Sequence, residues 1–552
     1  MMKFFRNSLL MLAAGAFVVS CADYNVTDDF KAEPDPTVVV PYNDLNPVKS
    51  YINREAYPNM SLGAMLNVTE FNRQELAHAA AITNFDNFAF GTTLMSGSII
   101  NAKGVMNFLD MKDLLDHMED IGEEVYGSPI VANSYQADEW LNTLTAPIEI
   151  IVDYVEGKTV DFTTMTSFDG TVEKGTAEIV NYDGQNVLKL AAATTANIVE
   201  GFEVDSLATY TITFWARSDK TSNFTFNFSG NDKISSGEVK EGKISLPPDN
   251  KWKKIVVECK SAPGEKDGYV KIVMGTRTAP VYIQKVMVGY YPDNHRPQTA
   301  QEKTDTINYA LHAWCEGLMR INAGRIKKFD LIDEAIGTTE LENGMYDLKH
   351  STEKFYWQDV IGSENYAPFV SRVASAAFAE YGGDLTQLKF FISESGLEND
   401  QKLASLKYWI GIWDANGAKI DGINAKLNLS YSEDPIAQEA NKASLDNLLT
   451  NLASTGKLIR LSNFDIKYLD ASGAKVPAKE ITDEQRQRLA DYYGYIIKSY
   501  MTKIPVDRQA GICKGNLADT TDPVGLWSVD SKSRDWVRTA TYKAFCDALS
   551  GK

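Results

Sequence analysis

The 552-residue chain is poor in the residues that build metal sites and disulfide frameworks. It has five cysteines, and no two of them form a CxxC pair. Cys259, Cys315, Cys513 and Cys546 lie far apart, a spacing that suggests neither zinc ligation nor a disulfide scaffold. They read as buried free thiols, with one pairing left open if the compartment is oxidising. The five histidines, His78, His117, His295, His312 and His350, are scattered without ligand spacing, so no catalytic metal and no other cofactor is expected. Positive charge is also scarce. Fifty-five Lys and Arg face 74 Asp and Glu, a formal net charge of −19. Nothing in that balance would neutralise a phosphate backbone, which argues against nucleic acid as a partner. An acidic surface of this kind serves solubility.

What is present is length, apolar content and a signal at the start. The chain is too long for one core, and 44% hydrophobic with 11% aromatic residues suits a globular protein of two or three domains. Residues 1–21 carry Lys3 and Arg6, then an apolar Leu9–Val19 run too short for a stable membrane span. The end of this stretch, Val18-Val19-Ser20-Cys21, resembles a bacterial lipobox. That resemblance implies lipidation of Cys21 and attachment of a water-facing body to a membrane. Residues 22–40, with Asp23, Asp28, Asp29, Pro34 and Pro36, read as a flexible tether.

From residue 41 to 149 strand and helix signals alternate, the mark of βα units, with strands expected at Leu62–Asn67, Phe85–Thr92 and Glu124–Ala132. From 150 to 292 helical periodicity vanishes. Short alternating runs such as Tyr210–Arg217, Asn223–Phe228, Lys253–Cys259 and Tyr269–Met274 predict an all-β sandwich. In TYTITFWAR, Tyr210, Ile212, Phe214 and Ala216 form one face, read as core, and Trp215 and Arg217 fall on the other. Trp215 can stack on a sugar ring or pack under a loop, whereas Trp252 reads as structural. From 293 to 552 the βα pattern resumes, with an amphipathic helix over Thr304–Ile326. It leads into KKFDLIDEAIG (Lys327–Gly337), an apolar strand ending in Asp333 and Glu334. Barrel enzymes keep their chemistry at such strand ends.

KKFDLIDEAI resembles the "WDVVNEA" strand of family 10 glycoside hydrolases, the endo-β-1,4-xylanases, and Glu334 falls on the acid/base glutamate. Further segments carry the same resemblance: EEVYGSPIVANSYQ to "VYGHTLVWHSQ", FYWQD, KIDGINAKLNLSY to "KIDGIGTQMHISY", and GICKGNLAD to "GICQWAATD". The segment KLIRLSNFDIKY resembles "RISELDM", whose glutamate is the nucleophile. Asn463 stands at that position, and Asp465 is kept. The family's sugar-holding side chains fall on Thr92, Met95, Ser128, Ala132, Asn133, Lys426, Asn428 and Gly515. The resemblance implies a (β/α)8 TIM barrel of the Bacteroides type, interrupted after its third strand by a jelly-roll sandwich like inserted carbohydrate-binding modules. Trp357 of the FYWQD run reads as core.

A retaining glycosidase needs two carboxyl groups about 5–5.5 Å apart. Asn463 has no anionic oxygen, so the resemblance implies a fold kept and a hydrolytic centre lost. The expected role is binding polysaccharide, xylan or another plant or host glycan, at the outer membrane, beside glycan-uptake proteins. Two alternatives stand: a weak or altered endo-glycanase using Glu334, and a structural subunit of a surface uptake complex.

Overall fold

The computed structural model describes residues 42–72, 76–530 and 534–551. Cys21 and the 22–40 tether lie outside the described residues. The chain divides into two compact units, one uniting the segment up to Thr145 with Ala300–Lys552, the other spanning Ala146–Thr299. The second unit is wider than the expected 150–292 because its entry and exit segments pair with each other. His295 lies opposite Glu149 and Arg296 opposite Ile148.

The first unit is a curled parallel sheet wrapped by helices. Its strands run Leu62–Met65, Asn87–Ala89, Glu124–Val125, Val131–Ala132, Lys328–Asp333, Lys389–Ser395, Gly422–Lys426, Leu458–Ser462 and Gln509–Lys514. Glu124–Val125 and Val131–Ala132 are two pieces of one extended segment. The first piece pairs with Asn87–Ala89 and the second with Lys328–Asp333. A bridge between Gly127 and Phe329 lies between the two pieces and closes the sheet into a (β/α)8 barrel. Gly127 is required there, since a Cβ would sit 2.2 Å from the Phe329 ring. The strands read as near-continuous apolar runs because both of their faces are covered. Phe329, Leu331 and Ile332 are all buried.

The helices follow their sequence signals. Ala300–Asn322 buries Ile307, Ala310, Leu311, Trp314 and Leu318, and the Trp314 indole N–H donates to Ile130 O at 2.8 Å, fixing the helix to the closing segment. Asp483–Lys503 starts with a capping box in which Thr482 and Gln485 bond reciprocally. Inside the barrel, Tyr126 donates to Asp330 at 2.7 Å, Asn424 donates to the same carboxylate at 3.0 Å, and the Arg460 guanidinium lies 3.8 Å over the Tyr126 ring. Burial pushes Asp330 up to about 6 despite the nearby Arg460 charge. Trp357 is buried, its indole N–H donating to Gln136 Oε1 at 2.9 Å.

The second unit is a sandwich of two mainly antiparallel sheets. One is ordered Lys243–Leu246, Ser222–Phe228, Asp267–Met274, Thr195–Glu203, Val172–Lys174. The other is ordered Lys253–Cys259, Thr209–Arg217, Val281–Tyr291, Gln185–Leu190, Ala177–Tyr182, with Val155–Asp161 also pairing to Val281–Tyr291. Phe214 and Phe226 stack between them at 5.9 Å. Among the described residues Cys259, Cys315, Cys513 and Cys546 are free thiols.

Candidate functional site

Strand Lys328–Asp333 ends beside strands Lys389–Ser395 and Val131–Ala132, and Glu334 follows it in a left-handed conformation, φ +57°. Its backbone is fixed from both sides. Its N–H donates to Ser393 O at 2.9 Å, and its carbonyl accepts from Asn133 Nδ2 at 3.1 Å. Asn463 follows strand Leu458–Ser462 in the same kind of conformation, φ +51°. Its Nδ2 donates to Leu427 O at 2.9 Å. Both sites identified from sequence are therefore strained positions at barrel strand ends, the sort of backbone that clusters at functional sites.

The Glu334 carboxylate is enclosed by cations. Lys426 Nζ lies 2.7 Å from Glu334 Oε1 and 2.7 Å from Asp333 Oδ1. Lys349 Nζ and Lys402 Nζ each lie 3.9 Å from Glu334 Oε2. Glu394 is fully buried and hydrogen-bonds Glu334 through its side chain. Its Oε2 accepts from Ile336 N at 3.0 Å, and Lys402 Nζ stands 2.7 Å from its Oε1, an ion-pair distance without hydrogen-bond alignment. Burial alone would raise the Glu334 pKa. The hydrogen bond from Glu394 and the charge and hydrogen bond of Lys426 outweigh burial and hold it at about 2. Burial and the Glu334 charge push Glu394 up to about 8. In this coupled pair Glu394 keeps the proton and donates it to an ionised Glu334. The two acidic neighbours of Lys426 in turn raise the pKa of its ammonium against the effect of burial.

This arrangement favours an ionised Glu334. A general acid must carry its proton at working pH, and Glu334 is held below the usual carboxylate range by Glu394 and Lys426. Glu394 carries a proton but has no exposed surface. Asn463 offers an amide already bonded to a backbone carbonyl. Nor is Lys426 a nucleophile, since a reactive lysine needs a lowered pKa.

The other matched positions are absorbed into local structure. Ser128 Oγ donates to Gly91 O at 3.1 Å, Met95 is buried, and Thr92 is exposed. The Asn428 backbone N–H is bonded to Glu398 Oε1 at 2.8 Å. A Cβ at Gly515 would come 2.5 Å from Asp465 Oδ2, because that carboxylate is drawn to the buried Lys514 ammonium and to the Asn516 amide. Lys349 and Lys402 were not singled out from sequence. Lys426 was noticed as a replacement, without its ion pairs.

In the sandwich, burial alternates along Thr209–Arg217 as the pattern predicts up to Ala216, but Arg217 departs from it. Arg217 was expected to be open to ligand and is only 5% exposed. Its guanidinium lies 4.4 Å over the Tyr182 ring and 5.4 Å over the Trp252 ring. It donates to Asp183 at 3.2 Å, to the Tyr182 hydroxyl at 3.2 Å, and to Asn250. A planar guanidinium stacks on aromatic faces, so the neighbouring rings close over it. Arg217 thus braces the rings and does not reach for ligand. Trp215 is half-buried, with the Lys254 ammonium 5.7 Å over its ring. Trp252, read as structural from sequence, is also half-buried. Trp215 pairs with Lys254 and Ala216 with Lys253, and Trp252 directly precedes that strand, with its ring 5.4 Å from the Arg217 guanidinium.

Residues 292–521 match the model of Glycosyl hydrolase family 10. A search of curated protein sequences finds no match. Several solved structures share the fold. An endo-1,4-beta-xylanase, XylE, from Penicillium canescens aligns with TM-score 0.50 at 12% identity, covering 92% of this chain and 98% of its own. Xylanase XynB from Paenibacillus barcinonensis aligns with TM-score 0.51 at 8% identity, covering 91% and 98%. Native xylanase 10C from Cellvibrio japonicus aligns with TM-score 0.51 at 11% identity, covering 94% and 75%. At these identities the likeness speaks for fold alone.

The Glu394 proton has a consequence for stability. An unfolded glutamate loses its proton near about pH 4.3, whereas folded Glu394 keeps it to about 8. Between those values the folded state binds more protons, so this group lowers stability as pH rises. Gln in its place keeps a hydrogen-bond donor toward Glu334 without a titrating proton. The melting temperature of Glu394→Gln relative to the wild type should therefore climb between about pH 5 and about pH 8. A difference that stays flat across that range would show that Glu394 is ionised in the folded protein.

Proposed function

We propose that this protein binds polysaccharide at a bacterial cell surface without hydrolysing it. The barrel, whose residues 292–521 match a glycosyl hydrolase model, supports a carbohydrate ligand at coarse level. The non-hydrolytic part rests on one observation, the ion pair between Lys426 and Glu334. With the hydrogen bond from Glu394 it favours the ionised form at the acid position, while Asn463 leaves the partner strand end without a charge. Loss of a catalytic group costs several powers of ten in rate, and here both roles are affected together.

In this reading the sandwich supplies the sugar-facing surface. Trp215 lies on a strand paired with Lys253–Cys259, Trp252 directly precedes that strand, and the Arg217 guanidinium lies 5.4 Å from the Trp252 ring. The apolar faces of sugar rings stack on such platforms, and sparse hydroxyl contacts at the rim (Asp183, Asp219 and Asn250) complete them. Lipid on Cys21 would hold the protein at the outer membrane, where glycan-uptake proteins are its natural neighbours.

Three experiments test these points. Xylan should release no reducing ends, and Asn463→Glu alone should not change this, because Glu394 and Lys426 still hold Glu334 ionised. Wild-type turnover within about a thousandfold of an ordinary xylanase, abolished by Glu334→Gln, would overturn the non-hydrolytic reading.

For the sandwich, base–aromatic stacking contacts worth about 1–3 kcal/mol give the scale. Trp252→Ala and Trp215→Ala should each weaken polysaccharide binding about tenfold or more, measured by affinity electrophoresis, with little change in melting temperature. A large loss of stability at unchanged affinity would mark the rings as packing residues.

For the anchor, Cys21→Ala should abolish metabolic labelling with a fatty acid and move the protein into the soluble fraction. Membrane association and processing that persist unchanged in Cys21→Ala would sink this part of the reading.

A further inference from the structure

The loop that follows the strand piece Val131–Ala132 is pinned at Asn133, Tyr135 and Gln136. Asn133 Nδ2 donates to Glu334 O at 3.1 Å. The Tyr135 carbonyl accepts from Gly97 N at 3.1 Å, and the approach is so close that a Cβ on Gly97 would stand 2.4 Å from that oxygen. Gln136 is buried and held at both ends of its amide. Its Nε2 donates to Phe355 O at 2.8 Å, and its Oε1 accepts from the Trp357 indole at 2.9 Å. Three separate segments of the barrel unit thus fix this short stretch of backbone.

Within the fixed stretch two residues are exposed, Ser134 and Tyr135. Tyr135 is 67% exposed. Among the described residues its ring stacks on no other ring and its hydroxyl bonds to no neighbour. Its backbone is left-handed, φ +54°. Glycine adopts that conformation at no steric cost, whereas a bulky residue there is an outlier. Packing of the ring would offset the strain, and this ring is not packed. The two observations are independent, since exposure belongs to the side chain and strain to the backbone. A locally unfavourable residue without a compensating contact is the pattern of a functional position.

Place in the fold narrows the function. Ala132 pairs with Asp333, so Tyr135 stands with Glu334 at the C-terminal ends of the barrel strands. Two residues of chain span at most about 7 Å. The Tyr135 backbone is therefore within that distance of Asn133, which bonds to Glu334. Barrel proteins present ligand-binding groups at this end. A tyrosine ring is a large, rigid, amphipathic surface with only two torsions to freeze. The fixed loop beneath it lowers the cost of ordering it further. The C–H groups on one face of a pyranose ring form an apolar surface that such a ring can cover. Stacking of this kind needs no matched set of hydroxyl partners.

We propose that Tyr135 is a stacking platform for an uncharged sugar ring at the Glu334 end of the barrel. The inference rests on the carbohydrate reading above. It adds to the sandwich surface a second contact, made by the barrel itself.

The test is affinity electrophoresis of the full chain in two soluble neutral polysaccharides, an arabinoxylan and a mixed-linkage β-glucan. Tyr135→Gly should weaken binding to the retarding polysaccharide about tenfold, the scale of one aromatic stack. Tyr135→Phe and Tyr135→Trp should keep it. Glycine takes this backbone conformation without strain, so Tyr135→Gly should not lower the melting temperature. That separates a lost contact from a lost fold. Unchanged affinity in Tyr135→Gly overturns the inference and leaves the sandwich surface standing. A lowered melting temperature in Tyr135→Gly would mark the ring as a packing residue and overturn it as well. A loss in Tyr135→Phe as large as in Tyr135→Gly would assign the contact to the hydroxyl and refute stacking. Retardation of the wild type by neither polysaccharide would overturn the carbohydrate reading together with this inference, so the two failures are distinguishable.

Discussion

The contact between Lys426 and the two carboxylates at the end of strand Lys328–Asp333 sets the character of the whole barrel face. Adjacent ionised carboxylates at a partly buried strand end repel each other and lose hydration. One ammonium 2.7 Å from each offsets part of that cost. Lys426 and the Glu394 hydrogen bond favour an ionised Glu334, the Glu394 carboxyl behind it is pushed up by burial and by that charge, and Lys402 stands 2.7 Å from Glu394. These consequences reach three different strands and one helix. Asn463 fits the same logic. A glutamate at that strand end would bring a further negative charge to the face, while the neutral amide leaves Lys426 committed to Asp333 and Glu334. A cation at 426 and a neutral side chain at 463 both make the local charge more positive.

The backbone at both strand ends is strained. Glu334 and Asn463 keep left-handed conformations that cost about 1–3 kcal/mol each for non-glycine residues. The surroundings enforce them. Ser393 and Asn133 hold both sides of the Glu334 peptide, and Leu427 captures the Asn463 amide. These holds come from neighbouring barrel strands and their loops, whose register is fixed by parallel pairing from Asn87 round to Ala132. The strain therefore belongs to the frame and not to the chemistry. A barrel can change the charge at its strand ends without rebuilding them, which is how one fold comes to serve unrelated roles.

The sequence carries most of the fold for this reason. Apolar runs such as Phe329–Ile332, the helical spacing from Ile307 to Leu318, and the strict alternation in TYTITFWAR are local signals of burial, and burial drives folding. The side-chain partnerships of the site are not local. Lys349 reaches Glu334 from beyond a hairpin, and Lys402 from the helix after the next strand. A lysine in either segment reads like any solvated charge. Lys426 was visible as a departure from a neutral residue, but its two partners lie on a strand that is not its neighbour in the sheet. Arg217 shows the same limit in the sandwich. Alternation puts it on the outer face correctly, yet Tyr182 and Trp252 come from a different hairpin and strand to cover it. Trp252 looked structural because it precedes an edge strand, and only the register with Ala216 sets it beside Arg217.

The two candidate surfaces differ in the kind of polymer they can tolerate, and the net charge decides between possibilities. At physiological salt an exposed charge is felt over about 8 Å, so the lysines near Glu334 act only on a group placed beside them. Beyond that distance a ligand meets a body of −19. A densely charged polyanion would be repelled along most of its length and attracted at one point. A largely neutral polysaccharide with sparse acidic substituents meets no such penalty. In the binding role proposed above, its uncharged rings suit the sheet face that carries Trp215.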